Sequence, residues 1–368
     1  MRWSYKIARV AGIDVYVHAT FLLLLAWVGF DAYRGGGLPA AVRGVGFILA
    51  VFLIVVLHEY GHALTARRYG IPTKDITLLP IGGVARLQEM PKEPRQELAI
   101  ALAGPAVNVV LALLLYGVLA ATGAPREAPE LATADGRFVG GPLLAQLLRI
   151  NVWLAAFNMI PAFPMDGGRV LRALLAMRSG DYAQATAQAA RVGRFFALLF
   201  GIVGLFVLNA PMLVLIALFV WLGAAGEAAS VSQAAVLEGV PIQRVMITDL
   251  RTLSPADPLS RAIEYVLAGF QQDFPVVEQG AVVGVLTRSV LLQALGQRPP
   301  ATPVGDVMHR EFMVADPAEP VEAALARLRS CGCQSLPVVR GRQLLGVLTL
   351  ENVGEYMMIQ GAMGGRKG

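Results

Sequence analysis

Long apolar stretches occupy the first two thirds of the chain, whereas alternating patterns with charges and prolines occupy the last third. Six stretches are long enough, or nearly so, to cross a bilayer, for which a helix needs about 20 residues. They lie at 18–33, 43–66, 97–122, 142–163, 186–208 and 211–228. The later part alternates short β runs with helical periods. The pattern therefore predicts a polytopic α-helical membrane domain with about six transmembrane helices, followed by a soluble α/β module.

The composition supports a membrane protein. The 368 residues are 56% hydrophobic and 15% charged, and the mean hydropathy of +0.59 is well above that of a soluble protein. The net charge of +5 is modest, and the basic residues lie beside apolar stretches, as is typical of membrane flanks rather than of nucleic-acid surfaces. We therefore expect a lipid bilayer as the environment and no nucleic acid as a partner.

The charges of the loops predict the orientation. Basic residues collect at the N-terminus and after the second and fourth apolar stretches, whereas the loop at 123–141 is mixed and slightly acidic. Basic loops tend to stay in the cytoplasm. We therefore expect a multi-pass protein of the plasma membrane with both termini in the cytoplasm.

The chain has two cysteines, Cys331 and Cys333, both in the soluble part. No further cysteine accompanies them to build a structural metal site or a disulfide framework. We expect both to be reduced thiols.

The second apolar stretch ends in the sequence His58-Glu59-Tyr60-Gly61-His62. Side chains four residues apart lie on the same face of a helix, so the two imidazoles can bind one Zn²⁺. Glu59 lies between them and is placed to take a proton from a water molecule at the metal. The alternative is a pair of buried histidines satisfied by hydrogen bonds.

A carboxylate is predicted at the same depth as the histidines. Asp166 follows the fourth apolar stretch, and the orientation places it, like His58 and His62, at a cytoplasmic helix end. It is our candidate third zinc ligand, although Asp-Gly-Gly is also ordinary turn chemistry. Two amides in apolar surroundings, Asn108 and Asn158, are candidates to stabilise the oxyanion or to hold the substrate backbone. Hydrogen bonds between membrane helices are their alternative role.

Residues 1 to about 228 resemble a known protein family through several sequence motifs. The segments HEYGH (58–62), GPAVN (104–108) and FNMIPAFPMDGGRVLRAL (157–174) resemble those of the site-2 protease family of intramembrane zinc metalloproteases. The resemblance implies that His58, His62 and Asp166 bind zinc and that Glu59 is the catalytic base. It also implies a role in substrate or oxyanion binding for Asn158, and regulated cleavage of a membrane-spanning protein near the cytoplasmic side.

Residues 75–87 alternate and turn like a short β-hairpin rather than a helix. In the family that this chain resembles, strands at this place lie at the membrane edge beside the active site. An exposed strand edge could capture an unwound substrate by strand addition. Gly82 and Gly83 are therefore candidate substrate-binding residues, and a plain cytoplasmic connector is the alternative.

The last third of the chain contains a repeat. Val245-Met246 recurs as Val307-Met308, and Gly284-Val-Leu-Thr287 recurs as Gly346-Val-Leu-Thr349, each 62 residues later. Each copy reads as a helix, two β runs and a helix, which resembles a tandem pair of CBS domains. The resemblance implies an adenine nucleotide between the copies.

The nucleotide assignment rests on few residues. Many nucleotide-binding CBS copies have an Asp three residues after the Thr, and this chain has Val290 in the first copy and Asn352 in the second. Thr349 and Asn352 are therefore our candidate nucleotide-binding residues. A purely structural or homodimerising role is the alternative.

We accordingly expect a transmembrane metalloprotease domain and a CBS pair, with domains at 1–228, 229–240 (linker), 241–299 (first CBS domain) and 300–368 (second CBS domain and C-terminal tail). A competing hypothesis is a membrane transporter or sensor gated by the CBS pair, with a regulatory metal site. The position of Glu59 between the two histidines argues against it, as does the lack of a visible inverted repeat of broken helices.

Overall fold

The structure is a computed structural model. It describes residues 3–80, 82–87, 91, 93–123, 143–269 and 271–364. The chain forms two compact units, Met1–Val231 and Ser232–Gly368. Nearly all of the loop at 123–141, used above for the orientation, lies outside the described residues.

The first unit is mainly helical. Its helices are α1 (Ala19–Arg68), α2 (Pro94–Thr122), α3 (Leu143–Asn158), α4 (Asp166–Ser179), α5 (Tyr182–Ile202, extended by a π-helical segment, Val203–Val207) and α6 (Pro211–Leu237). Among the described residues, four helical segments are long and apolar enough to cross a membrane, namely Ala19–Arg68, Pro94–Thr122, Tyr182–Val207 and Pro211–Leu237. The helical membrane fold is confirmed, and the number of six spans stays a prediction.

Helix α1 contains two helical parts joined at a kink. The backbone of Gly36 and Gly37 is not helical, and Gly37 has a φ of +68°, a left-handed conformation that favours glycine. Pro39 follows in the next turn. The apolar stretches predicted at 18–33 and 43–66 therefore both form helix, on either side of this kink.

A four-stranded sheet packs on α1. Its strands β1 (Ser4–Val10), β2 (Ile13–His18), β3 (Thr73–Leu79) and β4 (Gly82–Leu87) lie in the order β1-β2-β3-β4. The hairpin predicted over 75–87 is present as β3 and β4, which are antiparallel. The preceding hairpin was not predicted, although Ile13, Val15 and Val17 alternate as buried residues along β2. β2 pairs with β3 in parallel, so the sheet joins the N-terminus to the segment that follows α1.

The second unit contains both copies of the repeat. Strands β5 (Phe274–Glu278), β6 (Ala281–Leu286), β7 (Ser335–Arg340) and β8 (Gln343–Thr349) form one sheet in the order β5-β6-β8-β7, with helices α7 (Leu259–Ala268), α8 (Arg288–Leu295), α9 (Val321–Cys331) and α10 (Leu350–Gly364). The copies exchange their first segments. Ile242 and Val245 pack in the core of the second copy, and Val304 and Met308 pack in the core of the first.

The repeated glycines allow this exchange. A Cβ at Gly284 would lie 2.5 Å from Met308 Sδ, and a Cβ at Gly346 would lie 2.5 Å from the Ile247 carbonyl oxygen. Glycine at both positions therefore lets each central strand touch the Val-Met segment of the other copy.

The expectation of two reduced cysteines is wrong for this structure, which joins Cys331 to Cys333 by a disulfide. Helix α9 ends at Cys331, and Gly332 takes a left-handed conformation with a φ of +67°. This reversal brings the next residue, Cys333, back beside Cys331.

Candidate active site

Two helices bring three side chains together in the first unit. His58 and His62 lie on α1, and Asp166 is the first residue of α4. His58 Nε2, His62 Nε2 and Asp166 Oδ2 lie 3.1 Å from one another in each pairing. All three residues are buried and form a group with the spacing of metal ligands.

The backbone before α4 is packed closely enough to fix Asp166. A Cβ at Gly167 would lie 2.5 Å from the Met159 carbonyl oxygen, and one at Gly168 would lie 2.6 Å from the Phe163 nitrogen. The two glycines after Asp166 thus let the first turn of α4 lie directly on the preceding loop. The Asp-Gly-Gly motif therefore starts α4 rather than forming a separate turn, and it fixes the position of the carboxylate.

Partners on α2 orient both imidazoles. His58 Nδ1 donates to Asn108 Oδ1 at 2.5 Å, and His62 Nδ1 donates to the Ile100 carbonyl oxygen at 2.7 Å. Because both partners are acceptors, the ring proton of each neutral imidazole lies on Nδ1, which leaves a lone pair on Nε2.

This arrangement fits a metal ion. Two Nε2 lone pairs and the Asp166 carboxylate converge, and acceptors repel one another unless a cation lies between them. Atoms bound tetrahedrally at about 2.0–2.1 Å from a zinc ion are about 3.3–3.4 Å apart, close to the 3.1 Å separations found here. Partners on the second ring nitrogen, as on His58 and His62, are typical of metal-binding histidines.

Gly104 keeps the space beside the imidazoles open. A Cβ at this position would lie 2.6 Å from His58 Nε2 and closer still to His62 Nε2. The Gly-Pro-Ala-Val-Asn segment therefore has two functions in the structure, because Gly104 leaves room at the ligand atoms and Asn108 orients His58.

Asn108 forms hydrogen bonds between helices in the structure, which is the alternative role that the sequence left open for it. The side chain is fully buried (0% exposed), and its Nδ2 donates to Asn151 Oδ1 at 3.2 Å while its Oδ1 accepts from His58. Asn151 was not among the candidates from the sequence, although it is also an amide in an apolar stretch.

Glu59 is held by the sheet. Its Oε2 accepts a hydrogen bond from the Ala85 backbone N–H of β4 at 3.1 Å. A Cβ at Gly83 would lie 2.8 Å from Glu59 Cγ, so this glycine allows β4 to approach the helix. Gly82 has a φ of +139° and is the first residue of β4, where it pairs with Leu79 of β3. Glu59 and Gly83 therefore lie together where β4 meets α1, and Gly82 precedes Gly83 on the strand.

Asn158 lies at the C-terminal end of α3. It is half-buried, and no described residue forms a hydrogen bond with its side chain. The turn between Asn158 and Asp166 contains Ala162 and Phe163, which are both buried.

In the second unit, a cavity of about 500 Å³ lies between the two copies. The first copy contributes Thr287 and Ser289 to its lining, and the second contributes Cys333 and Ser335. Asp273 also lines it and accepts from the Arg288 backbone N–H at 3.1 Å and from Ser335 Oγ at 2.7 Å.

The candidate residues Thr349 and Asn352 do not line this cavity. The Thr349 hydroxyl donates to Asn352 Oδ1 at 3.1 Å and accepts from the Asn352 backbone N–H at 3.1 Å. These bonds cap the start of α10, so both side chains have a local structural role.

Comparison with known proteins identifies both parts of the chain. The family model described as Peptidase family M50 matches residues 46–139 and 140–202, and the CBS domain model matches residues 242–297 and 304–358. The chain is 32% identical to Zinc metalloprotease MJ0392 of Methanocaldococcus jannaschii over 359 residues, which cover 98% of this chain and 97% of that protein. It is also similar to the solved Site-2 Protease from Methanocaldococcus jannaschii, with 36% identity, a TM-score of 0.44, and coverage of 61% of this chain and 95% of that one.

The similarity to MJ0392 runs through both units, and the matched region of the first unit contains the two histidines and the aspartate that converge in the structure. The chain therefore belongs to peptidase family M50, the site-2 protease family of zinc metalloproteases, and carries a tandem pair of CBS domains.

Proposed function

We propose that the protein is an intramembrane protease that hydrolyses a peptide bond of a membrane-spanning protein near the cytoplasmic side, with His58, His62 and Asp166 as the ligands of one zinc ion. The observation that carries this proposal is the convergence of His58 Nε2, His62 Nε2 and Asp166 Oδ2 at 3.1 Å in a buried position. Three protein ligands leave a fourth position for water or substrate, as in catalytic zinc sites.

When bound, zinc supplies Lewis-acid activation of water and of the substrate carbonyl. Glu59 is the proposed general base, which takes the proton of the attacking water on a carboxylate oxygen and passes it to the leaving amine. Its Oε2 is held by the Ala85 N–H, so Oε1 is the oxygen left to move the proton. Asn158 is the proposed oxyanion donor, since its half-buried amide has no partner among the described residues.

The outer edge of β4 is the proposed capture surface for the substrate. Its other edge pairs with β3, and the Ala85 N–H on the outer edge is directed at Glu59. A substrate strand added to this edge would run past the catalytic base with its carbonyl groups released from helical hydrogen bonds.

Replacing Gly83 by Ala is expected to lower the cleavage rate about tenfold or more without loss of zinc, since small displacements of positioning groups are costly. The new Cβ would lie 2.8 Å from Glu59 Cγ and 2.9 Å from Val55 Cγ1. These close contacts would push β4 away from α1. The measurement is cleavage of a membrane-spanning substrate in detergent. Gly46→Ala on α1, where a Cβ meets no atom within 4 Å, is the matched control. Equal rates for both variants would refute the capture surface.

The proposed location is the plasma membrane with both termini in the cytoplasm. The basic residues at the N-terminus and after the second and fourth apolar stretches support this orientation. The catalytic residues would then act at the cytoplasmic side of a spanning substrate, as expected in regulated intramembrane proteolysis.

The direct test of the proposed function is co-expression with a tagged membrane-spanning substrate. Candidate substrates come from comparing membrane proteomes with and without an active enzyme. We expect the full-length band to be lost and a zinc chelator to preserve it, with about one zinc per purified chain by elemental analysis. A purified chain without zinc, or cleavage insensitive to the chelator, would contradict the proposal.

The proposed role of the CBS pair is regulation by an adenine nucleotide. The 500 Å³ cavity between the copies has the size of a small-molecule site. The proposed nucleotide site lies there, beside Thr287 and Ser289, because Thr349 and Asn352 do not line the cavity. Homodimerisation through this unit stays a second proposal, tested by the mass of the purified protein in detergent.

Replacing Ser289 by Trp is expected to abolish the thermal stabilisation of the full chain by AMP or ATP, because the new ring fills part of the cavity. Asn352→Ala is expected to keep it, since Asn352 does not line the cavity. The measurement is the unfolding temperature at increasing nucleotide concentration. If Asn352→Ala loses the stabilisation by nucleotide and Ser289→Trp keeps it, the nucleotide site lies at Asn352 in the second copy. If nucleotide does not change the unfolding temperature of the wild-type chain, a purely structural role of the CBS pair is favoured.

A further inference from the structure

A buried arginine lies on the helix that begins with Asp166. Arg172 of α4 is fully buried (0% exposed). Its guanidinium donates to Glu97 of α2 through Nε at 2.8 Å and through Nη2, and to Glu227 of α6 through Nη1 at 2.5 Å. Burial would lower the pKa of Arg172, but its charge interaction with Glu97 raises that pKa above its ordinary value. A buried charge is costly unless it is paired in this way.

The same guanidinium contacts the loop that leads to Asp166. Arg172 Cζ lies 5.0 Å from the centre of the Phe163 ring and 4.9 Å from the centre of the Tyr182 ring, within the range of cation–π interactions. Phe163 is buried and precedes Asp166 by three residues. Arg172 therefore lies on the helix that begins with Asp166 and contacts the segment that precedes Asp166.

Glu97 lies on the helix that orients the imidazoles. Glu97, Ile100, Gly104 and Asn108 are all buried residues of α2, and their spacing of three or four residues places them along one face. On this face Ile100 and Asn108 accept the hydrogen bonds of His62 and His58. The Arg172–Glu97 pair therefore joins the helix that carries the carboxylate to the helix that orients the two histidines.

We propose that Arg172 and Glu97 are positioning residues, which set the separation of Asp166 from His58 and His62 and thereby the affinity of the site for zinc. The inference rests on the proposed zinc site. Neither residue touches the ligand atoms in the structure, and both act through rigid helices. Outer partners of metal ligands commonly change metal affinity by about 10- to 100-fold when they are removed.

Glu227 provides a matched control within the same ion cluster. It accepts from Arg172 at 2.5 Å, but it lies on α6, from which no described residue forms a hydrogen bond with His58, His62 or Asp166. If the cluster contributes only stability, the loss of either glutamate should have the same consequence for zinc. If the cluster positions Asp166 against α2, Glu97 alone should matter for zinc.

The test compares Glu97→Leu with Glu227→Leu in the purified full chain. Zinc affinity is measured by competition with a chelator of known affinity, and folding is measured by thermal unfolding of the metal-free protein. We expect zinc binding to weaken by about tenfold or more in Glu97→Leu and by less than about twofold in Glu227→Leu, even where both lower the unfolding temperature. Equal zinc affinity in the two variants would overturn the proposal.

Arg172→Lys decides the matter independently, and it is the deciding variant if Glu97→Leu does not fold. A lysine keeps the charge but lacks the planar fork that binds two carboxylates at once. We expect an intermediate loss of zinc affinity, with kcat of the zinc-saturated enzyme reduced more than KM is changed. Wild-type zinc affinity in this variant would also overturn the proposal. A wild-type chain that binds no zinc would instead refute the proposed function.

Discussion

Replacing Glu59 by Gln is expected to reduce peptide-bond cleavage by at least about 100-fold, the lower part of the range for loss of a general base. The amide cannot take a proton from water, but it has nearly the same shape as the carboxylate. Its side-chain oxygen can still accept from the Ala85 N–H, as Glu59 Oε2 does at 3.1 Å. The proposed ligand group of His58, His62 and Asp166 does not include Glu59, so zinc should remain bound. The measurement is the single-turnover cleavage rate together with zinc content.

The cleavage rate and the zinc content together distinguish the possible roles of Glu59. Loss of cleavage with about one zinc per chain is the expected result and assigns the proton transfer to Glu59. Wild-type cleavage in the zinc-loaded variant would assign the base to another residue. Loss of zinc would instead make Glu59 a ligand. Glu264→Gln, an exposed substitution on α7, controls for a charge change elsewhere.

The group of His58, His62 and Asp166 could be predicted from the sequence because its chemistry is local. His58 and His62 occupy one face of a helix by their spacing alone, and a lone carboxylate among apolar residues marked Asp166. The hairpin at 75–87 was equally visible, since its alternation and its glycines are local signals. The repeat predicted the second unit because equal offsets imply equal elements.

What the sequence could not predict is which polar groups meet across helices. The amide of Asn108 fits a substrate contact and a helix–helix contact equally well, and only packing shows that His58 and Asn151 occupy it. Arg172 pairs with Glu97 and Glu227, which are 75 and 55 residues away, so no local pattern reveals the cluster. The cavity between the copies is likewise lined by residues far apart in the sequence, such as Thr287 and Cys333.

Replacing Gly104 by Ala is expected to abolish stoichiometric zinc binding and cleavage, although no ligand is altered. The new Cβ would lie 2.6 Å from His58 Nε2 and closer to His62 Nε2, so it would occupy the space at the ligand atoms and push the rings apart. Alanine favours a helix more than glycine does, so α2 itself should not be weakened. The measurement is zinc per chain by elemental analysis, with thermal unfolding of the metal-free protein alongside.

Gly117→Ala separates this steric effect from a change in the helix. Gly117 lies on the same helix, and a Cβ there would meet no atom within 4 Å. This variant should bind zinc and cleave substrate like the wild type, with stability raised by up to about 1 kcal/mol because alanine replaces a helical glycine. Full zinc occupancy and wild-type cleavage in Gly104→Ala would mean that the ion does not lie between His58, His62 and Asp166. The proposed active site would then have to be sought elsewhere in the chain.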